Sequence, residues 1–247
     1  MSTATATFVL PGDVIPPELL PLSTAGGNAP LKLGPGLRHI PPDTITSVVA
    51  GQLCADAKKR AIWIENSGGR YIPTQGDLVI ATVHHSSADF YHCAITPHTA
   101  LASLPQLAFE NATKKTRPML APGALIYARI ALANKHMDPE LECVHPSTGK
   151  ADGLGELKGG MVFDVSVAMA RRLMMPKPHQ QGGLVVLEEL AERVPFEIAV
   201  GRNGRVWVDS GSVKITIAVG RAIQETDGKN LNIDEQGKLV RQLVKDL

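Results

Sequence analysis

Apolar and polar positions alternate over the first quarter of the chain in short bursts that Pro and Gly interrupt, at residues 8–15, 31–40, 44–57 and 59–65. The last two carry β-branched residues on either side of a polar turn near residues 56–58, which predicts a hairpin. Between the first two, residues 16–30 read as a loop whose Ser23-Thr24-Ala25-Gly26-Gly27-Asn28 core has too little apolar content to pack. From Gly69 the bursts become a regular series, at residues 77–84, 89–95, 100–104, 124–133 and 140–144. Five strands in about seventy residues predict a small Greek-key barrel of the OB type. The interval at 105–122 is long for a hairpin, and it carries Lys114-Lys115-Thr116-Arg117, the densest positive cluster of this region.

After a glycine-rich passage (Gly149, Gly153, Gly155, Gly159, Gly160) the period changes. Residues 161–167 alternate like a strand, whereas Leu184, Leu187, Leu190, Ala191 and Val194 recur at helical spacing and leave Glu188, Glu189 and Glu192 for the wet face. Residues 196–200 and 205–208 read as two strands around Asn203-Gly204, a pair suited to a type I′ turn with positive φ at both positions. Val213, Ile215, Ile217 and Val219 alternate like a strand, although their place after a hairpin suits a helix. Leu239, Val240, Leu243, Val244 and Leu247 line one face of a terminal helix, with Asp234 as its expected N-cap. The fold class is therefore multidomain, mainly β with α+β. A β domain spans 1–68, a five-stranded OB-type barrel 69–150 and an α+β domain 151–247.

Composition agrees with this division. In 247 residues, Gly 23 and Pro 18 against 4% aromatics suit many short elements joined by tight turns. Lys+Arg 25 against Asp+Glu 24 leave a formal charge of +1, so no global basic field draws the chain to nucleic acid and any such contact rests on local patches. Cys54, Cys93 and Cys143 form no CxxC pair, which argues for free thiols in a reducing compartment and against a zinc ribbon. The residues before Phe8 lack a basic or long apolar run, so neither secretion nor a membrane span is expected, and the sequon at Asn111 is expected to stay unused.

Three ordered segments carry a family resemblance. Gly69-Arg70-Tyr71-Ile72-Pro73-Thr74-Gln75-Gly76-Asp77 resembles the Y-x-P-x-x-G-D approach to the S1 domain of exosome cap proteins. Residues 107–118, from Leu107 to Pro118, resemble a loop specific to one branch of that family, and Gly201-Arg202-Asn203-Gly204 before Arg205-Val206-Trp207-Val208 is similar to the G-x-N-G motif of the cap KH domains. The chain is thus identified as a member of the S1/KH-type cap subunits of the eukaryotic RNA exosome. One departure stands out: Ala94-Ile95-Thr96 replaces the Asp-Val-Gly turn common in the second S1 strand.

The resemblance implies a non-catalytic subunit that sits on a ring of RNase PH-like proteins beside other S1/KH cap subunits. It would guide single-stranded RNA into the central channel towards associated nucleases, in nucleus, nucleolus and cytoplasm. No cofactor or metal is implied. On an OB-type barrel, Lys114, Lys115 and Arg117 become candidate phosphate contacts, since cations beside aromatic stacking positions are how such barrels track single strands. Phe90, Tyr91 and His92 lie on the second strand, where alternation sends Tyr91 to the opposite face from the other two. The resemblance favours Tyr91 as the stacking residue, with His92 beside it.

His84, His85, His92, Cys93 and His98 are dense enough to raise a metal site, but neighbours on a strand face opposite ways and no structural zinc spacing appears. No P-loop, GxSxG or HExxH is present, and Asp77, Asp89, Asp138 and Asp164 are scattered at strand ends. KH domains grip RNA with a GxxG loop between two helices. Gly201–Gly204 instead joins two strands, and the counterpart of that loop falls near 175–183, where Gln180-Gln181-Gly182-Gly183 is a degenerate version. Gly201, Arg202, Asn203, Gly204 and Trp207 are therefore expected to be structural, packing the KH domain against S1, while Arg202 and Arg205 remain within possible reach of phosphate. The competing readings are a free-standing S1/KH RNA-binding factor and, less favoured, an unrecognised nuclease.

Overall fold

The computed structural model describes residues 7–21, 30–56, 60–66, 69–97, 99–175, 178 and 183–245. The polar loop core at 23–28, Lys58 and Lys59, His98 and Gln180–Gly182 lie outside the described residues. The chain divides into two compact units, Met1–Gly69 and Arg70–Leu247.

In the first unit, β1 (Phe8–Val9), β2 (Lys32–Leu33), β5 (Gly51–Asp56) and β6 (Ala61–Glu65) form a sheet in the order β1-β5-β6-β2, and β3 (Leu37–Ile40) pairs with β4 (Thr44–Ser47). The stretch expected as one strand over 44–57 is thus two strands of different sheets. The hairpin of β5 and β6 is present, with Asp56 opposite Ala61. Ile62 and Ile64 point inward from β6 to meet Val9, Ile15 and Ile45, the period-2 burial of a half-wet strand.

The second unit opens with a barrel. Its strands are β7 (Leu78–Ser86), β8 (Phe90–Ala94), β9 (Ala102–Pro105), β10 (Leu125–Asn134) and β11 (Met137–Glu142). They run in the order β11-β9-β8-β7-β10 and close through β10–β11, so no edge strand is left unpaired. Val79, Ala81, Val83, Tyr91, Cys93, Leu104, Ile126, Ile130 and Leu141 fill the interior. A short β12 (Gly155–Leu157) adds to β10.

The α+β domain follows as β13 (Met161–Asp164), α1 (Val167–Leu173), α2 (Val186–Ala191), β14 (Glu197–Gly201), β15 (Arg205–Asp209), α3 (Val213–Lys229) and α4 (Ile233–Lys245). The antiparallel sheet β13-β15-β14 carries these helices. The ambiguous stretch at 213–219 is helical: Thr216, Val219, Gly220, Ile223 and Thr226 form one buried stripe at helical spacing, while Val213 and Ile217 of the apparent alternation are exposed. Asn232, not Asp234, caps α4. Its Oδ1 accepts from the Glu235 N–H and its own N–H donates to Glu235 Oε2, both at 3.0 Å, a reciprocal capping box. The fully buried Gln236 then accepts the Val185 and Val186 N–H groups, capping α2 from a distant helix.

Candidate nucleic-acid interface

The hairpin of β14 and β15 is where the α+β domain meets the barrel. Gly201 pairs with Arg205, so the loop has three residues, and the Gly204 N–H donates to the Gly201 carbonyl at 3.1 Å. Only Gly204 takes a positive φ, +77°. This is a type I turn closed by a left-handed glycine, not the two-residue type I′ turn expected from Asn203-Gly204. The difference matters because Asn203 is not consumed by the turn. Its side chain, 7% exposed, crosses to the barrel, where Oδ1 accepts from the Ile80 N–H at 3.2 Å and Nδ2 donates to the carbonyls of Ile80 and Ile95 at 2.9 and 2.7 Å. β8 ends at Ala94, and the amide takes the ladder position that a longer β8 would fill beside Ile80. Ile95, part of the departure at 94–96, is a buried residue that supplies one of these acceptors.

The contact continues on both sides. The Arg202 N–H donates to the Leu78 carbonyl at 2.7 Å, and the Tyr127 hydroxyl donates to the Val200 carbonyl at 3.1 Å. Trp207 packs with Ile80 and Ala199, and its indole N–H donates to the Gly159 carbonyl at 2.9 Å. A Cβ on Gly201 would lie 2.7 Å from the Ile80 nitrogen. Arg202 is more than an exposed neighbour of the turn, as its Nε sits 3.6 Å from Asp77 Oδ1 while Asp77 Oδ2 accepts from the Tyr71 hydroxyl at 2.8 Å. Burial, and then the bond to Asp77, push the Tyr71 phenol well above its ordinary pKa. The Y-x-P-x-x-G-D segment and the G-x-N-G hairpin are thus one structural joint.

The outer face of β7 and β8 presents the aromatic groups. Val83 pairs with Cys93 but His85 pairs with His92, so His84 is an extra residue in a bulge. The bulge overrides the alternation that would separate neighbouring histidines. The His85 ring stacks on His92 with centroids 4.5 Å apart and planes 18° apart, and His84 Nδ1 lies 3.0 Å from His85 Nδ1. Parallel rings aim their in-plane nitrogens side by side rather than at one point; among the described residues no cluster of three or more His, Cys, Asp or Glu is arranged to hold a metal ion. Phe90, 41% exposed, extends this face.

Tyr91 requires a correction. It is 3% exposed inside the barrel, where its hydroxyl donates to the Pro118 carbonyl at 2.6 Å and lies 3.4 Å from the Leu120 nitrogen. Buried and doubly engaged, it cannot offer a ring to a base; it ties down the end of the 105–122 loop. The start of that loop is held by Gln106, whose Nε2 donates to the Ser87 carbonyl at 2.9 Å. Arg117 Nη1 donates to Gln106 Oε1, which fixes Arg117 beside the β7–β8 turn. Lys114 and Lys115 stay exposed on a small turn that Thr113 and Thr116 stabilise with side-chain to backbone bonds.

Comparison with known proteins places this geometry. Residues 71–155 match the family model for the S1 domain of exosome complex component RRP40, residues 31–70 the N-terminal domain of exosome complex exonuclease Rrp40, and residues 160–214 a KH domain. Exosome complex component rrp40 of Schizosaccharomyces pombe is 40% identical over 237 residues, covering 94% of each chain. The chain belongs to the RRP40 family of exosome complex components. Other RRP40 relatives include those of Drosophila melanogaster, 39% identical over 90% of this chain and 89% of its own, and Saccharomyces cerevisiae, 36% identical over 91% and 90%. A crystal structure of an exosome complex RNA-binding protein shares the fold, with a TM-score of 0.57 at 21% identity over 72% of this chain and 97% of that one. In this RRP40-family chain, the sequence singled out His92 and the basic cluster as candidates; the structure adds His85 stacked on His92 and Gln106 bonded to Arg117. No local signal announces the bulge or the tether.

Proposed function

We infer that the chain is a non-catalytic RNA-binding cap subunit of the RNA exosome, seated on RNase PH-like ring subunits beside other S1/KH subunits. It guides single-stranded RNA towards the nucleases of the complex, in nucleus, nucleolus and cytoplasm. The observation that carries this reading is the outer face of β7–β8, where stacked His85 and His92 and exposed Phe90 run up to a tethered cationic loop. Ring faces accept bases of any identity by stacking, and Lys and Arg supply sequence-independent affinity through phosphates. His92, Lys114, Lys115 and Arg117 are therefore assigned to RNA; Gly201, Arg202, Asn203, Gly204 and Trp207 are assigned to the S1–KH joint. The functional divisions are an N-terminal domain at 1–68, S1 at 69–150 and KH at 151–247.

With a charge of +1 the chain has little long-range pull of its own, which favours a subunit over a free-standing factor. Affinity purification of the tagged chain, with RNA crosslinked before lysis, tests the reading. Recovery of a ring of RNase PH-like proteins, with crosslinks mapping to the β7–β8 face, is expected. A chain recovered alone, or crosslinks confined elsewhere, would overturn it.

A further inference from the structure

The outward row of β7–β8 begins beneath the KH hairpin and emerges from it. Ile80, fully buried, packs with Trp207 and Ala199. Two residues on, Thr82 pairs with Ala94 at a cleft of about 310 Å³ that Thr96, Asp164, Gly204 and Arg205 also line. Beyond the bulge the row continues as His85 on His92 and ends at Phe90.

Arg205 is held at this cleft. Its Nη1 donates to Thr82 Oγ1 at 2.9 Å and approaches the Ile80 carbonyl at 3.4 Å, and its side chain is 24% exposed. Among the described residues its Nη2 makes no hydrogen bond. Asp164 Oδ1 lies 3.8 Å from Nε, beyond hydrogen-bond distance, and its side chain is 88% exposed, so water meets most of its charge. A guanidinium with a fixed stem and an unspent edge, largely shielded from solvent, suits a phosphate, whose oxygens accept parallel N–H donors.

We propose that the cleft between the S1 barrel and the KH hairpin holds a backbone phosphate of single-stranded RNA, with Arg205 as donor and Thr82 as its prop. This rests on the reading that RNA bases lie along His85, His92 and Phe90. The strip then has a cation at each end, Arg205 at the KH side and Arg117 with Lys114 and Lys115 at the other. Ala94 and Phe90 span about 13 Å between them at ~3.3 Å per residue. Because the cleft opens onto that strip through Thr82 and Ala94, a phosphate within a strand fits it better than an isolated ion. Asp164 opposes the arriving charge, so the two residues act with opposite signs.

The test is fluorescence anisotropy of the full chain with a labelled uridine oligonucleotide across a salt series. Arg205→Gln is expected to weaken binding about five-fold at 0.1 M salt and to flatten the salt slope by about 0.7, the share of one phosphate on a single strand. Asp164→Asn is expected to tighten binding; its exposed side chain makes this variant safe for the fold and decisive if Arg205→Gln disturbs the joint. Wild-type affinity and slope in Asp164→Asn, or in a folded Arg205→Gln, would sink the proposal. Loss of binding in Lys114→Glu/Lys115→Glu with no change in the cleft variants leaves the RNA-binding reading standing and removes only the cleft. If the wild-type chain binds no RNA, both fail.

Discussion

The side-chain amide of Asn203 exchanges two hydrogen bonds with the backbone of Ile80, 123 residues earlier in the chain. Burial at that point would leave strand groups of β7 unpaired where β8 stops, and a borrowed amide satisfies them. The KH hairpin thereby becomes part of the barrel's hydrogen bonding. This explains why a motif that looks like a nucleic-acid loop is instead a joint.

Asn203→Ala removes that amide and leaves the Ile80 N–H and the Ile80 and Ile95 carbonyls short of partners. Unsatisfied buried groups cost about 1–3 kcal/mol each before relaxation, so a loss of about 2–4 kcal/mol is expected. Asn203→Asp should be worse, since a carboxylate would face two carbonyls. Thermal unfolding together with hydrogen exchange at the Ile80 amide checks this; an Ile80 amide as protected as in the wild type would show that the bridge is incidental.

Gly204→Val should destabilise the domain by more than ~1 kcal/mol, because a β-branched residue is strained at positive φ. Space adds to the cost, as a Cβ there would lie 2.6 Å from the Val165 carbonyl oxygen. Gly211→Ala is the control: it meets nothing within 4 Å and has no positive φ. Equal midpoints of denaturation for the two variants would contradict the turn geometry.

Tyr91→Phe keeps the ring and deletes the hydroxyl that holds Pro118. A stability loss of about 1–2 kcal/mol is expected, with faster amide exchange at 118–120 and unchanged RNA affinity. If affinity falls while exchange stays put, Tyr91 meets RNA after all.

Lys114→Glu/Lys115→Glu should leave the unfolding transition in place, since both side chains are exposed. The salt slope of RNA binding should flatten by about 1.4, at 0.7 per phosphate. Arg117→Ala differs in kind: it frees Gln106 as well as removing a charge, so loop exchange rises together with the loss of affinity.

Cys93 supplies a pH dependence. Burial pushes its thiol from an ordinary 9.0 up to about 12. The neutral thiol is favoured in the folded state, so its contribution is complete below about 9 and is lost as the pH rises from there through about 12. Stability over that window should fall less steeply in Cys93→Val than in the wild type, and identical slopes would mean that Cys93 does not report burial.

Much was legible in local pattern. Period-2 runs located the barrel strands because each has one wet and one dry face, and the spacing of Leu184, Leu187 and Leu190 located α2 because a helix buries a stripe. Elsewhere two periods competed. The alternation of Val213 and Ile217 was misleading, and only packing of Thr216, Val219 and Ile223 under α3 chose the helix. Asn203-Gly204 announced a turn, but its type depended on what Asn203 would reach.

The candidate site divides in the same way. By itself the sequence determined its chemistry: histidines and Phe90 on one strand pair, cations in one loop, and no catalytic constellation of known pattern. Tertiary structure alone decided which of them face outward. A bulge at His84 brought His85 onto His92, closure of the barrel took Tyr91 inside, Gln106 fixed Arg117, and docking of the KH hairpin placed Arg205 beside Thr82. Each of these depends on contacts between residues far apart in sequence, whose energies no local window contains. Periodicity records how much of an element is buried, and only the folded partners determine what it is buried against.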